Sequence, residues 1–285
     1  VSPTTVKLKA MNNGQKHKIF QWISASLLTL AGILFLMPFA WMIISAFKPE
    51  SEVMQIPPTL LPKDFTLENF RNLFTNMNFD IYLVNTLTIV IFSFFGMFLN
   101  AVAGFGFAKY DFKGRNGLFV LVLATMMIPS QVTMIPVYLI LNSVGLTNSM
   151  AGIILPGLVG AFGIFLFRQF MSTIPSEMLE ATRLDGASEY RIFLQIVLPM
   201  SKPILAVQAI LTFIHGWNSF LWPLIIANDE KLYTLSVGLQ LLKGQYGGNF
   251  ALQMAGSAFM VVPVILIFSY FQKHIIENFT ISGMK

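Results

Sequence analysis

Residues 82–107 read YLVNTLTIVIFSFFGMFLNAVAGFGF, twenty-six positions without one Asp, Glu, Lys or Arg. A helix crosses the roughly 30 Å hydrocarbon core of a bilayer with about 20 apolar residues, so this stretch is long enough to span. Working outward, comparable runs occupy 20–47, 117–141, 150–170, 203–226 and 256–271. In hydrocarbon every backbone polar group needs an internal partner, and runs of this length are satisfied by helices rather than by the short strands of a barrel. The fold class is therefore all-α, a polytopic membrane protein of about six transmembrane helices.

Composition agrees. Of 285 residues, 55% are hydrophobic and only 11% charged, against about a quarter charged in soluble domains. The 28 Phe exclude a disordered chain. The absence of Cys excludes a disulfide framework, a thiolate metal site and a cysteine nucleophile. Lys16 and Lys18 precede the first apolar run, as in a secretory signal, but the run far exceeds the 7–15 apolar residues of such a signal and reads as a retained helix. Met11 reads as a plausible native start, which would make residues 1–10 an addition.

Orientation follows from Lys and Arg. Lys7, Lys9, Lys16, Lys18, Lys109, Lys113, Arg115, Arg168, Arg183, Arg191, Lys202, Lys273 and Lys285 fall on one side, and Lys48, Lys63, Arg71, Lys231 and Lys243 on the other. Both termini are expected to be cytoplasmic. The expected layout is a cytoplasmic segment 1–18, a transmembrane domain 19–276 with a cytoplasmic loop at 172–202, and a cytoplasmic tail 277–285. The pI near 9.4 is then a topology signal rather than a mark of nucleic-acid binding.

Tyrosines aside, His215 is the one ionisable residue deep inside a span. Such residues are functional candidates, although an imidazole bonded to a neighbouring helix is an equally physical reading. Gly216, Trp217 and Asn218 beside it suggest an irregular, internally packed segment. Gly96, Gly104 and Ala108, and Gly157, Gly160 and Gly163, would let helices approach closely.

The loop 172–202 does not read as a simple connection. Ser176 is expected to cap a first short helix with Glu177 and Glu180 in its opening turn, and Gly186 to end it with positive φ. Ser188 is expected to cap a second helix that Pro199 stops. Met178, Ala181 and Asp185 share one face of the first helix. Two readings stand on physics alone: a knuckle shaped for a groove on another protein, or a tether on the membrane surface.

Glu180-Ala-Thr-Arg-Leu-Asp-Gly-Ala187, followed by Ile196-x-Leu-Pro199 and Pro203, resembles the EAA loop of membrane subunits of bacterial ATP-binding-cassette importers, with Thr182 replacing the second Ala. Leu67-Glu-Asn-Phe-Arg-Asn-Leu-Phe74, Trp217-Asn-Ser-Phe-Leu-Trp-Pro223, Tyr233-Thr-Leu, Gly244-Gln-Tyr-Gly-Gly248 and Ile281-Ser-Gly-Met-Lys285 extend the likeness to carbohydrate importers of the maltose type.

The resemblance implies cytoplasmic coupling helices that dock on separate ATPase subunits through Glu180, Ala181, Asp185, Gly186 and Ala187. It implies a tail, Ser282 and Gly283, that reaches between those ATPases. It further implies a loop, Gln245, Tyr246, Gly247 and Gly248, that enters the cleft of an extracytoplasmic sugar-binding protein; without the family it would read as an ordinary Gly-rich turn. The partners implied are a second, related permease, two ATPases, the binding protein, a sugar and the bilayer. With no G-x-x-x-x-G-K-[ST] sequence the chain cannot cradle ATP itself, so ATP and Mg2+ would serve the partner ATPases and the chain would bind no cofactor and be no enzyme.

For a sugar path, Asn85, Gln131, Trp217, Asn218 and Trp222 are the candidates, together with Asn100, because amides and aromatic faces bind sugars without net charge. Interhelical bonding and interfacial anchoring compete for the same residues. A glycerol-phosphate importer is the nearest alternative, but an anion would favour Lys or Arg in the spans. A secondary transporter or channel would call for buried acids. An intramembrane enzyme would require catalytic groups that His17, His215 and His274 are too dispersed to supply.

Overall fold

The structure is a computed structural model that describes the backbone of residues 3–245 and 248–282 and the side chains of 17–244 and 248–271. In chain order the helices are α1 (Pro3–Ser45), α2 (Glu50–Val53), α3 (Glu68–Asn76), α4 (Phe79–Lys109), α5 (Arg115–Met126), α6 (Ser130–Ser143), α7 (Met150–Ile154) and α8 (Ala161–Met171). There follow α9 (Ser176–Leu184), α10 (Glu189–Ile192), α11 (Leu198–Met200), α12 (Lys202–Trp217), α13 (Leu221–Ile226), α14 (Leu235–Gln245) and α15 (Phe250–Ser282). Among the described residues five segments are long and apolar enough to cross a membrane, and α5 with α6 makes a sixth if the bent pair counts as one span.

That pair corrects one expectation. Residues 117–141 do not form a single straight helix: α5 and α6 meet at 102°. The break falls where Ile128 precedes Pro129, whose backbone is extended at φ −59°, ψ 132°. Proline disfavours helix at the residue before it and offers no N–H to the previous turn. The span predicted at 203–226 is likewise divided, at 218–220, and the one at 150–170 is interrupted by a 3-10 turn at Leu155–Gly157.

The chain divides into two units, 1–71 with 248–258, and 72–247 with 259–285. In the first, the apolar window of the α1 span holds no buried residue. The Pro-rich connection after it is tied down by buried charge. Lys48, only 1% exposed, donates its ammonium to the Thr59 carbonyl and lies 4.8 Å from the centre of the Trp41 ring. Glu52 accepts from the Thr59 hydroxyl at 2.6 Å and from the Lys63 and Asp64 amides. These bonds, the Thr59 hydroxyl foremost, hold its carboxyl below the usual carboxylate range. Glu50 accepts from the Ala251 amide at 2.7 Å, in the first turn of α15, where a helix favours an anion.

In the second unit α4 is the central element, packed on α8, α12 and α14. Without a hydrophobic drive between helices in lipid, close backbone approach has to supply the contact. A β-carbon at Gly96 would lie 1.8 Å from the Leu158 carbonyl oxygen, and one at Gly104 2.5 Å from the β-carbon of Phe167. Gly163 makes room for Asn100, whose side-chain oxygen accepts from the Gly160 amide at 3.1 Å. Gly157 and Gly160, by contrast, face open space. Leu87, Ile91, Phe95 and Val102 of α4 are exposed.

Irregular backbone at membrane depth needs partners. Two places have them: in the break after α12 the Ser219 carbonyl accepts from the Thr234 hydroxyl at 2.8 Å, and at the start of α14 the Leu235 amide donates to the Thr86 hydroxyl at 3.0 Å. Gly96→Ala should destabilise the fold by about 1–3 kcal/mol through overpacking. Gly106→Ala, with nothing within 4 Å of the added carbon, should leave the thermal midpoint of the detergent-solubilised protein unchanged, and equal midpoints for the two variants would refute this packing account.

Candidate functional site

Two features of the second unit combine exposure with organised chemistry: the bend between α9 and α10, and a cavity lined by α4, α6 and the α12–α13 break.

The bend closes as a Schellman motif. Gly186 takes φ +81°, its amide donates to the Arg183 carbonyl at 3.0 Å, and the Ala187 amide donates to that of Thr182 at 3.2 Å. Only glycine adopts that conformation without strain, and the two bonds satisfy carbonyls the helix end would leave orphaned. Ser188 caps α10, its hydroxyl accepting from the Arg191 amide. Three local expectations need correction. Pro175 rather than Ser176 occupies the cap position of α9, with no side-chain cap bond, and Glu180 lies beyond the first turn, which holds Glu177 alone. Pro199 does not stop the second helix, which continues to Met200 through a π-helical stretch, Phe193–Val197. In that wider turn the Leu198 amide bonds to the Phe193 carbonyl, an arrangement that accommodates a proline ring and its missing N–H.

One face of the bend is buried. Leu179, Ile192, Phe193 and Val197 join Ala101 and Phe105 of α4 and Phe167 and Met171 of α8 in a single core. Ala187 is half-buried against it. The opposite face, with Met178, Glu180, Ala181, Asp185 and Gly186, is exposed. So are Leu184, at 89%, and Tyr190, at 83%, which sequence reading passed over. A signal existed: Leu179 and Leu184 are five residues apart, about 140° around a helix, so they cannot share a buried face.

A polar clamp holds the bend. The Arg183 guanidinium makes two bonds to Glu189, at 2.7 and 3.2 Å, and the Tyr110 hydroxyl, just past the end of α4, donates to the same carboxylate. Lys109 donates to the Ile174 carbonyl at the entry to α9. The bond from Arg183, then that from Tyr110, holds the Glu189 carboxyl below the usual range, while burial followed by the bond to Glu189 pushes the Tyr110 hydroxyl up to about 12. The clamp ties both sides of the bend to α4.

The cavity encloses about 260 Å³. Ile89 and Ser93 of α4, Ser130 and Thr133 of α6, Pro156 and Leu158 after α7, and His215, Ser219 and Trp222 line it. Trp222 donates its indole N–H to the Gly152 carbonyl at 3.1 Å, which fixes the ring in the wall. The other residues expected on a sugar path lie elsewhere. Asn85 donates to the Lys231 and Tyr233 carbonyls at 2.7 and 2.9 Å. Trp217 is buried, stacks on Phe213 and donates to the Met260 carbonyl at 2.9 Å. Asn218 bonds back to the Ile214 carbonyl, and exposed Gln131 accepts from Ser130. None of these four lines the cavity.

Of the Gly-rich loop, Gly248 is exposed in a turn and Asn249 accepts from the Leu252 amide at 2.8 Å. Tyr246, Gly247 and the Gln245 side chain lie outside the described residues, as do the Ser282 side chain and Gly283.

Residues 100–279 match the family described as "Binding-protein-dependent transport system inner membrane component". The chain is similar to the arabinooligosaccharides transport system permease protein AraQ of Halalkalibacterium halodurans, 34% identical over 94% of this chain and 97% of that one. It is 36% identical to the AraQ protein of Bacillus subtilis over 90% and 92%, and 31% identical to the sn-glycerol-3-phosphate permease UgpE of Salmonella typhi over 90% and 94%. Its fold is that of a chain in the crystal structure of a bacterial ABC transporter importing alginate, with a TM-score of 0.80 at 23% identity over 90% of this chain and 97% of that one.

Because the folded-state pKa of Glu189 is lowered, the clamp contributes fully above the ordinary carboxylate range and is lost as pH falls through the lowered value. Amide exchange at 183–190, corrected for its intrinsic pH dependence, should therefore rise only as pH falls below the ordinary carboxylate range. Glu189→Gln should raise it at neutral pH and remove the acid step; an unchanged profile in the variant would show that the clamp does not hold the bend.

Proposed function

The chain belongs to the binding-protein-dependent transport system inner membrane component family, and from that premise we propose that it is the membrane-spanning subunit of an ATP-driven importer of neutral sugars or oligosaccharides. The observation that carries this reading is the clamped, Schellman-closed bend between α9 and α10, buried on one face and exposed on the other. An apolar tip of Leu184 and Tyr190 rimmed by Glu180 and Asp185 suits a groove on a soluble protein better than a lipid surface, because two acids at the rim would be repelled by anionic headgroups.

In this reading the bend is cytoplasmic, with both termini, and docks on ATPase subunits that bind ATP and Mg2+. Glu180, Ala181, Asp185, Gly186 and Ala187 form or support the contact. Closure of the ATPases on ATP pulls the bend, and the Glu189–Tyr110 link and the shared core pass the displacement to α4 and α8. A rigid bend is required, since a flexible one would absorb the motion. A second, related permease completes the conduit, and an extracytoplasmic binding protein delivers the sugar. The 245–248 loop enters that protein's cleft, and the tail at 282–283 reaches the ATPases.

Relatives named for arabinooligosaccharides and for glycerol phosphate are of comparable similarity. The cavity favours the neutral class, since no Lys or Arg lines it and a phosphate would leave water for a wall without a cation.

Gly186→Val forces a β-branched residue to positive φ and should reduce uptake at least tenfold while ATP hydrolysis continues. Gly186→Asn, tolerant of that conformation, should retain most uptake; normal transport by the valine variant would refute the coupling role. Proteoliposomes holding the complete complex and its binding protein should take up labelled arabinotriose but not glycerol 3-phosphate. Deleting 245–249 should slow that uptake, and deleting 282–285 should alter basal ATP hydrolysis. Transport by the chain alone, without ATP, would refute an importer subunit.

A further inference from the structure

His215 stands about 20 Å along α12 from Lys202, within the segment Lys202–Ile226 that is apolar and long enough to span. Its side chain is exposed and makes no hydrogen bond among the described residues. An unpartnered imidazole at hydrocarbon depth persists where it meets water rather than lipid, and His215 lines the cavity.

The groups around it have complementary hydrogen-bonding capacity. Ser93 donates its hydroxyl hydrogen to the Ile89 carbonyl at 2.8 Å, and Thr133 donates to that of Ser130 at 2.9 Å. Both oxygens therefore keep lone pairs for an incoming donor. A neutral imidazole offers one donor and one acceptor. Trp222, its N–H already bonded to Gly152, contributes an apolar ring. Among the described residues no carboxylate, Lys or Arg lines the cavity. Donors and acceptors without net charge, set in an apolar wall, match a polyhydroxylated neutral ligand.

We propose that His215 is a hydrogen-bonding contact for a neutral carbohydrate in transit through this chain, with Ser93 and Thr133 as acceptors and Trp222 as the apolar wall. The assignment rests on the importer reading and adds a residue that the family resemblance did not supply.

The chain has no cysteine, so single substitutions report water access directly. In the complete complex in proteoliposomes, His215→Cys should react with a charged methanethiosulfonate reagent at least tenfold faster than Leu211→Cys, one turn earlier, exposed and outside the cavity lining. Equal rates overturn the proposal. His215→Leu should raise the KM for arabinotriose uptake about tenfold, the loss of roughly one hydrogen bond. His215→Gln should stay within about threefold of wild type, and both variants should keep ATP hydrolysis stimulated by the loaded binding protein. A complex that transports the sugar and is indifferent to His215→Leu overturns this assignment alone. One that takes up glycerol 3-phosphate and no sugar overturns the importer's sugar reading, and the assignment with it.

Discussion

Hydrocarbon offers a backbone amide nothing to bond to, and the arrangement of this chain follows from that constraint. Long helices satisfy it internally. At three departures from regular helix a side chain supplies a backbone partner. Thr234 serves the break after α12, Thr86 the start of α14, and Asn100 the turn before α8. Polar residues that look available in the apolar runs are therefore mostly committed. Asn85 bonds two carbonyls of the connection before α14, and Trp217 bonds the backbone of α15. What remains uncommitted stands out, and His215 is the clearest case.

The same constraint shapes the packing. Leu and Phe have no reason to prefer one another over lipid tails, so contact comes from small residues that bring backbones together. Gly96 and Gly104 set α4 against the chain around Leu158 and Phe167. The core under the α9–α10 bend continues that interface, because Phe105, Phe167 and Leu179 belong to one cluster. The α9–α10 bend is thus joined to α4 and α8 by close-packed side chains and one carboxylate clamp.

Much of this was legible in the residues. Runs such as 82–107 carry their own length and charge, and a bilayer has a fixed thickness, so spans and class follow without tertiary information. Gly186 was legible because positive φ at a helix end is a local property of the backbone. The break at Pro129 was less so: proline announces a disturbance, but its angle of 102° depends on what the two halves pack against. Leu184 and Tyr190 were missed because an apolar residue on a short amphipathic helix ordinarily points inward, and for Leu184 only the five-residue offset from Leu179 argues otherwise.

The sequence by itself determined the apolar runs and their lengths, the uneven distribution of Lys and Arg, the kinship and the bend at Gly186, since each depends on local chemistry against a solvent of known thickness. Tertiary structure alone decided which polar groups are spoken for. Whether Asn85 or Trp217 is free depends on which carbonyls long-range packing leaves beside it. His215 is set apart by facing a cavity whose walls come from α4, α6 and α12, with lining residues from Ile89 to Trp222.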